Sequence, residues 1–492
     1  MSTATYSNVI KVATASTAAV AAVAAYYYFT WDPRWWWNRR KNKSTEVNVQ
    51  QNWKKTLIKG YVHKDFEPVR EEFIANFERR GELGAACCIF YKGEMVVNLW
   101  GGYREYGTKK EWENNTMSNV FSATKGISAI AMAILCSQGK INFDDKVSKH
   151  WPQFAQNGKE DITIRALVDH ATGLAGPSPP ISMEILRDKA KTIEFLAAVK
   201  PDWKTSYEKK GYMAILLGIY ESCIMQMTDD KKRTIGEFLQ EEIAEPLGLD
   251  GDIYIGLPDS ITDERLTVLD APNLFQMLFL QDTLPKGFMS SMLLNPSSYC
   301  SRAFFNPNLG NDGMLDYNRR DVKRLELAAS NGHASAHALA TIYNAVERAI
   351  NTKCRINKLN LSNAALLEIQ QGGKPQYDEV LKVETNMAGG FEKPGSLSEY
   401  GCDQRAFGTP GAGGQNAFAD VESEMSFAYI MNRCGTYICD DPREFSCRVK
   451  AYQCIQKIRE RNGEKKLPMK KLETMSTFLK SATDQFPELR ML

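Results

Sequence analysis

The sequence predicts an α+β fold: one antiparallel sheet flanked by helices and built from the two ends of the chain, an all-helical insertion between them, and an N-terminal transmembrane helix in front. Three observations carry this. Residues 85–91 and 95–100, split by Lys92-Gly93-Glu94, have the composition and the turn of a β-hairpin. Residues 425–431 form a second apolar strand pattern more than 300 residues later, and the patterns between 183 and 350 are mainly helical, broken by Pro-, Gly- and Asn-containing loops. Residues 12–31 carry no charge and are long enough to cross a bilayer as a helix.

Four regions follow: an anchor over 1–37 with its span at about 12–31, a polar linker over 38–58, a folded domain over 59–460 and a Lys-rich tail over 461–492. Tyr26, Tyr27, Tyr28, Trp31, Trp35, Trp36 and Trp37 stand where an interfacial aromatic belt would. Arg39, Arg40, Lys41 and Lys43 come next, and this basic excess favours a cytosolic large domain on a single-pass membrane protein. Lys11, the Ser/Thr/Ala content and the absence of acids before Asp32 leave a mitochondrial membrane as the alternative destination.

Within the domain, Phe66, Val69, Phe73 and Phe77 mark an amphipathic helix. Gly101-Gly102 is expected to end the hairpin. An apolar helix follows over 127–135, with Gly139 near its C-cap. Thr163 opens a short helix expected to stop at Gly173. The Gly-rich stretch 407–418 precedes the late strand, and 448–460 reads as a closing helix.

A net charge of +2 gives no argument for nucleic acid. The 11 cysteines include no Cys-x-x-Cys pair and no His/Cys cluster at zinc spacing, so no metal and no cofactor is implied. Their odd number, in a chain long enough to build a core without staples, favours reduced thiols over disulfides among Cys434, Cys439, Cys447 and Cys454.

The stretch that carries chemistry is Phe121-Ser122-Ala123-Thr124-Lys125-Gly126. Three residues apart at the mouth of a helix, Ser122 and Lys125 share one face. A serine hydroxyl needs a base to become a nucleophile, and a lysine can serve when burial lowers its pKa. The helix N-terminus adds N–H groups suited to an oxyanion. A plain N-cap serine with an exposed lysine is the competing reading.

Further motifs stand in order along 60–452. They are the hairpin from Gly84-Ala85-Ala86 to Trp100-Gly101-Gly102-Tyr103, Ser122-x-x-Lys125, Gly139 to Val147, Leu167-Val168-Asp169-His170-Ala171-Thr172-Gly173-Leu174, and Ser330-Asn331-Gly332-His333 at an expected helix start. In these the chain resembles the serine β-lactamase and penicillin-binding-protein family, in its class C β-lactamase and esterase branch, which includes animal β-lactamase-domain proteins. The resemblance implies a β-lactamase/transpeptidase-like fold and a Ser-Lys-Tyr acyl-enzyme mechanism. Gly211-Tyr212-Met213-Ala214 matches the second catalytic element, with Tyr212 as proton shuttle, provided nearby cations hold its pKa down. Tyr207 is the competitor for that place. Ala214 stands where β-lactamases carry Asn, as in esterase-like members.

Trp203-Lys204-Thr205-Ser206 lacks the Pro-Gly turn usual just upstream. Phe407-Gly408-Thr409-Pro410-Gly411-Ala412-Gly413-Gly414 matches the third element, with Thr409 in the place of the family's cation. The resemblance makes the Ser122 and Ala412 N–H groups the oxyanion hole, and Thr409, Gly411 and Ala214 the substrate-binding residues. His170 and His333 match structural places in family motifs, against a Ser-His-Asp reading. The expected function is a membrane-anchored serine hydrolase acting on an ester or amide other than a β-lactam, in a small-molecule or peptide substrate. The alternative is a non-catalytic scaffold that kept the fold and lost turnover.

Overall fold

The computed structural model describes residues 58–468 apart from 206–208, 273–283, 352–355, 396 and 399. The expected membrane span, nearly all of the linker, most of the tail and Tyr207 lie outside the described residues. Among the described residues no helix is long and apolar enough to cross a membrane.

The strands β1 (Ile58–Val62), β2 (Gly84–Tyr91), β3 (Glu94–Glu105) and β4 (Lys110–Glu111) come from the first part of the chain. Those from the last part are β5 (Met387–Ala388), β6 (Phe391–Glu392), β7 (Phe407–Gly411), β8 (Gln415–Asp420) and β9 (Met425–Met431). They form one antiparallel sheet in the order β1-β3-β2-β9-β8-β7-β6-β5, with β4 beside β3. The join between the two ends is β2 against β9, Ala85 opposite Met431 and Tyr91 opposite Met425. Every residue of β9 is buried, which accounts for its unbroken apolar run: a central strand covered on both faces has no polar alternation to show.

Helix α1 (Glu67–Arg79) packs with the long C-terminal helix, and α2 (Ala123–Ser137) lies against the other face together with Ala336–Ile350. Helix α2 is buried from Ala123 to Leu135, because almost its whole circumference is apolar or small. Between the two strand sets the regular elements of the described residues are mainly helices, including α3 (Leu216–Thr228), α4 (Phe288–Leu294), α5 (Tyr299–Phe304) and α6 (Ala336–Ile350). The closing helix α7 (Pro442–Arg461) starts six residues earlier than the periodicity suggests, with Asp441 capping the Arg443 N–H.

Other boundaries differ from expectation for local reasons. β3 runs through Gly101-Gly102 to Glu105, because pairing with β1 and β2 supplies the hydrogen bonds that a glycine pair alone would not secure. The helix opened by Thr163 ends at Val168, and His170 takes a positive φ of 61°. Residues Gly332–Ala334 form a short strand between Ser118–Asn119 and Ile253–Ile255, and α6 begins only after Ser335 caps it.

Candidate active site

Ser122 is the N-cap of α2, but its side chain makes no capping hydrogen bond. The residue before it, Phe121, is held at a φ of 44°, a costly conformation for an aromatic residue. The hydroxyl is thereby presented to a cavity of about 210 Å³ lined by Phe121, Ser122, Tyr212, Ala214, Thr409 and Ala412, among others.

Lys125 lies one turn on, only 2% exposed, with Nζ 3.3 Å from Ser122 Oγ. Nζ also donates to the carbonyls of Ala214 at 2.7 Å and Ala329 at 2.8 Å. Desolvation pulls Lys125 down to about 7, against a smaller opposing pull from the Glu221 charge. A neutral amine has two N–H donors and one lone pair. The two carbonyls take the donors, so the lone pair is left for the Ser122 hydroxyl. The exposed-lysine reading therefore fails.

Tyr212 Oη donates to Ser122 Oγ at 2.8 Å, and Lys125 Nζ lies over the Tyr212 ring, 4.7 Å from its centre. Burial pushes the phenol up, and its hydrogen bond to Ser122 opposes this only in part. Tyr212 is thus a neutral phenol. The condition attached to it in the sequence, a pKa held down by nearby cations, is not met: desolvation dominates, and the nearby Glu392 and Asp378 carboxyls push the phenol further up.

β7 brings the third segment. A Cβ on Gly411 would stand 2.3 Å from the Val120 carbonyl and 3.2 Å from the Ala123 N, so the strand end presses on the start of α2. Ala412 follows directly. The turn and loop hydrogen bonds of the described residues use neither the Ser122 N–H nor the Ala412 N–H. Thr409 is buried in the cavity wall. Its Oγ1 faces Gly126 of α2, where a Cβ would be 3.1 Å from it and 1.9 Å from Tyr343 Oη. The position of the missing cation thus packs against the start of α2 and brings no charge to the cavity wall. Among the described lining residues there is no Lys, Arg or His, and the carboxyl side chains are Asp316 and Glu392. Phe288, Met292, Phe304, Phe305 and Met314 add apolar lining.

Both histidines of the rejected triad have structural work. His170 Nδ1 accepts the Met213 N–H at 3.0 Å, and burial keeps the ring well below its ordinary pKa. His333 is buried beside the Asn331 carbonyl, its pKa lowered by desolvation to about 3. All ten described cysteines are free thiols.

Sequence reasoning missed the Ala329 carbonyl, because a backbone acceptor from a distant loop leaves no residue-type signal. It also missed Glu221, whose only signal is an acid inside the apolar run of α3. Glu221 is buried with both carboxylate oxygens unpartnered, and desolvation pushes it up to about 8.

A family profile described as Beta-lactamase matches residues 69–442. The esterase/beta-lactamase LipL of Mycobacterium tuberculosis is 26% identical over 376 residues, spanning 76% of this chain and 82% of the relative. A penicillin-binding protein homolog from Caulobacter crescentus superimposes with a TM-score of 0.68 at 32% identity, over 81% of this chain and 99% of that one. A family VIII carboxylesterase gives the same TM-score at 28% identity, with the same coverage. The profile match spans well over half of the chain, from α1 to the start of α7, and takes in Ser122, Lys125, Tyr212 and Ala412: the chain belongs to the beta-lactamase family and is a serine hydrolase.

Proposed function

We propose that the chain hydrolyses an uncharged carboxylic ester through an acyl-enzyme on Ser122. The observation that carries this reading is the position of Ser122 Oγ between Lys125 Nζ at 3.3 Å and Tyr212 Oη at 2.8 Å. Lys125, with its pKa near 7, takes the hydroxyl proton as the Ser122 Oγ–carbonyl carbon bond forms. The Ser122 and Ala412 N–H groups receive the oxyanion. As the ester C–O bond breaks, Tyr212 gives its proton to the leaving alkoxide and the Lys125 ammonium restores it. Water then attacks the acyl carbon as the Lys125 amine takes its proton, the Ser122 Oγ–acyl bond breaks with that proton returned to Oγ, and the acid is released.

The substrate class follows from the walls. Leaving an anionic carboxylate unpaired in a partly desolvated site is costly, and the described lining offers it no cation. Penicillins are therefore poor substrates in this reading, and a neutral ester with an apolar group fits better, as a small molecule or lipid-like ester. Relatives named as an esterase/beta-lactamase and a carboxylesterase support it. With residues 12–31 as a single membrane span and the large domain in the cytosol, such an ester is within reach from the bilayer. Retention in the pellet after alkaline carbonate washing is the expected result, and release of the protein removes the anchor.

The deciding experiment labels the full-length chain with a fluorophosphonate and compares it with Ser122→Ala. Loss of labelling and of p-nitrophenyl ester turnover in the variant is expected, with nitrocefin turned over more slowly than the esters by the parent. Equal labelling of both proteins overturns the role of Ser122. Faster nitrocefin turnover overturns the substrate class.

A further inference from the structure

Tyr212 sits on an irregular loop, and the Pro-Gly turn expected upstream of it is absent from Trp203-Lys204-Thr205-Ser206. Something else must fix the loop, because a proton donor displaced by about 1 Å can cost about 100-fold in rate. The backbone bonds of the loop show what does. The Gly211 N–H donates to the His170 carbonyl at 3.0 Å, and the Met213 N–H to His170 Nδ1 at 3.0 Å. Between them, the Tyr212 N–H donates to Asp378 Oδ1 at 3.2 Å.

Asp378 belongs to a hairpin of Gln376–Tyr377 and Glu384–Thr385 that lies outside the main sheet. It is 1% exposed. The same Oδ1 accepts the N–H groups of Val380 and Leu381, both at 2.8 Å, across the hairpin turn. The Asp378 N–H donates to the Val383 carbonyl at 2.9 Å, and the Glu379 N–H to the Lys210 carbonyl at 3.0 Å. Lys210 and Asp378 form a parallel β-bridge. One carboxylate oxygen thus gathers three amides from two chain segments more than 160 residues apart. One of those amides belongs to the residue whose hydroxyl touches Ser122, and another to Leu381, which lines the cavity.

We infer that Asp378 is a positioning residue for the reaction: its carboxylate ties the Tyr212 loop to the 376–385 hairpin and so holds the Tyr212 hydroxyl on Ser122. It touches neither substrate nor the reacting atoms and acts through Tyr212. This inference rests on the Ser122–Tyr212 reading above. A carboxylate that merely closed its own turn would need only the Val380 and Leu381 bonds; the Tyr212 bond is the one that reaches across.

Three substitutions in the full-length chain separate these roles. Asp378→Asn keeps the acceptor oxygen, Asp378→Ala removes it, and Asp378→Ser keeps a hydroxyl for the local turn but is too short to serve Tyr212 as well. For Ala and Ser the expected result is a kcat loss of about 10- to 100-fold on a p-nitrophenyl ester, with slower phosphonylation of Ser122 and a much smaller change in KM. For Asn, kcat stays within about threefold of the parent, because hydrogen-bond geometry rather than charge is what the site uses.

The decisive readout is the pair with Tyr212→Phe. If Asp378 acts through the phenol, Asp378→Ser adds no further kcat loss once that hydroxyl is gone. Losses that multiply in the double variant overturn the inference, as does a folded Asp378→Ala or Asp378→Ser chain with parental kcat. If those two chains do not fold, Asp378→Asn decides. Parental kcat upholds the acceptor role, and a loss as large as that of Tyr212→Phe overturns it. Failure of the underlying reading looks different: Ser122 of the parent is then not labelled at all.

Discussion

Among the buried basic side chains of the described residues, Lys125 at 2% exposure and Arg443 at 5% have opposite fates. Lys125, on α2, meets only neutral groups at hydrogen-bond distance: two carbonyls and the Ser122 hydroxyl. Arg443, at the start of α7, meets Asp441 through Nε at 2.9 Å and Nη2 at 2.8 Å, and Glu82 through Nη1 at 3.3 Å. Glu82 also accepts from Tyr429 Oη at 3.0 Å, which in turn accepts from Asn76 of α1. Desolvation acts on both cations. It wins at Lys125, whose pKa falls to about 7, whereas at Arg443 the two carboxylates more than offset it and hold the charge firmly. A paired buried charge joins α1, α7 and the sheet; an unpaired one gives up its proton and becomes a base.

That contrast can be broken from either end. Lys125→Met is expected to lower kcat by about 100- to 10,000-fold, the range for losing a general base, while the chain remains folded. Ester turnover and circular dichroism on one preparation check it. A variant that kept parental kcat would mean that the amine is not the base.

Arg443→Met strikes the other region. It leaves Asp441 and Glu82 buried without their partner and is expected to destabilise the fold by about 3–5 kcal/mol. Urea unfolding measures it, and an unchanged midpoint would show that the network contributes nothing.

The smallest effect sharpens the comparison through pH. Because Lys125 works deprotonated and its pKa is near 7, kcat/KM should fall as the pH drops below about 7 and level off above it. An acid limb centred near the ordinary lysine value would show that desolvation does not govern the site. Arg443 contributes no limb in this range, since its charge is held throughout.

Much of the fold was legible because its signals are local. The hairpin turn Lys92-Gly93-Glu94, the stripe Phe66-Val69-Phe73-Phe77 and the apolar run of β9 each appear as elements of the expected type. Their boundaries were less legible where tertiary pairing overrides a local break. β3 passes straight through Gly101-Gly102 because strands on both sides bond to it, and 332–334 becomes a strand because two other segments flank it. At the site, the pairing of Ser122 with Lys125 follows from a spacing of three on a helix. The arrival of Tyr212, 90 residues later, came from the order of family motifs and not from any local rule.

The sequence by itself determined the order of the strands' contributions, the helix that carries Ser122 and Lys125 on one face, and the absence of a cation at 409. Periodicity and residue type act over a few residues, and they suffice for these. Only the tertiary structure decided that Lys125 is stripped of water and held by the Ala214 and Ala329 carbonyls, that Tyr212 is a neutral phenol, and that Asp378 reaches the Tyr212 amide. Protonation state and hydrogen-bond partnership depend on what distant segments place within a few ångströms, and no window of sequence contains that distance.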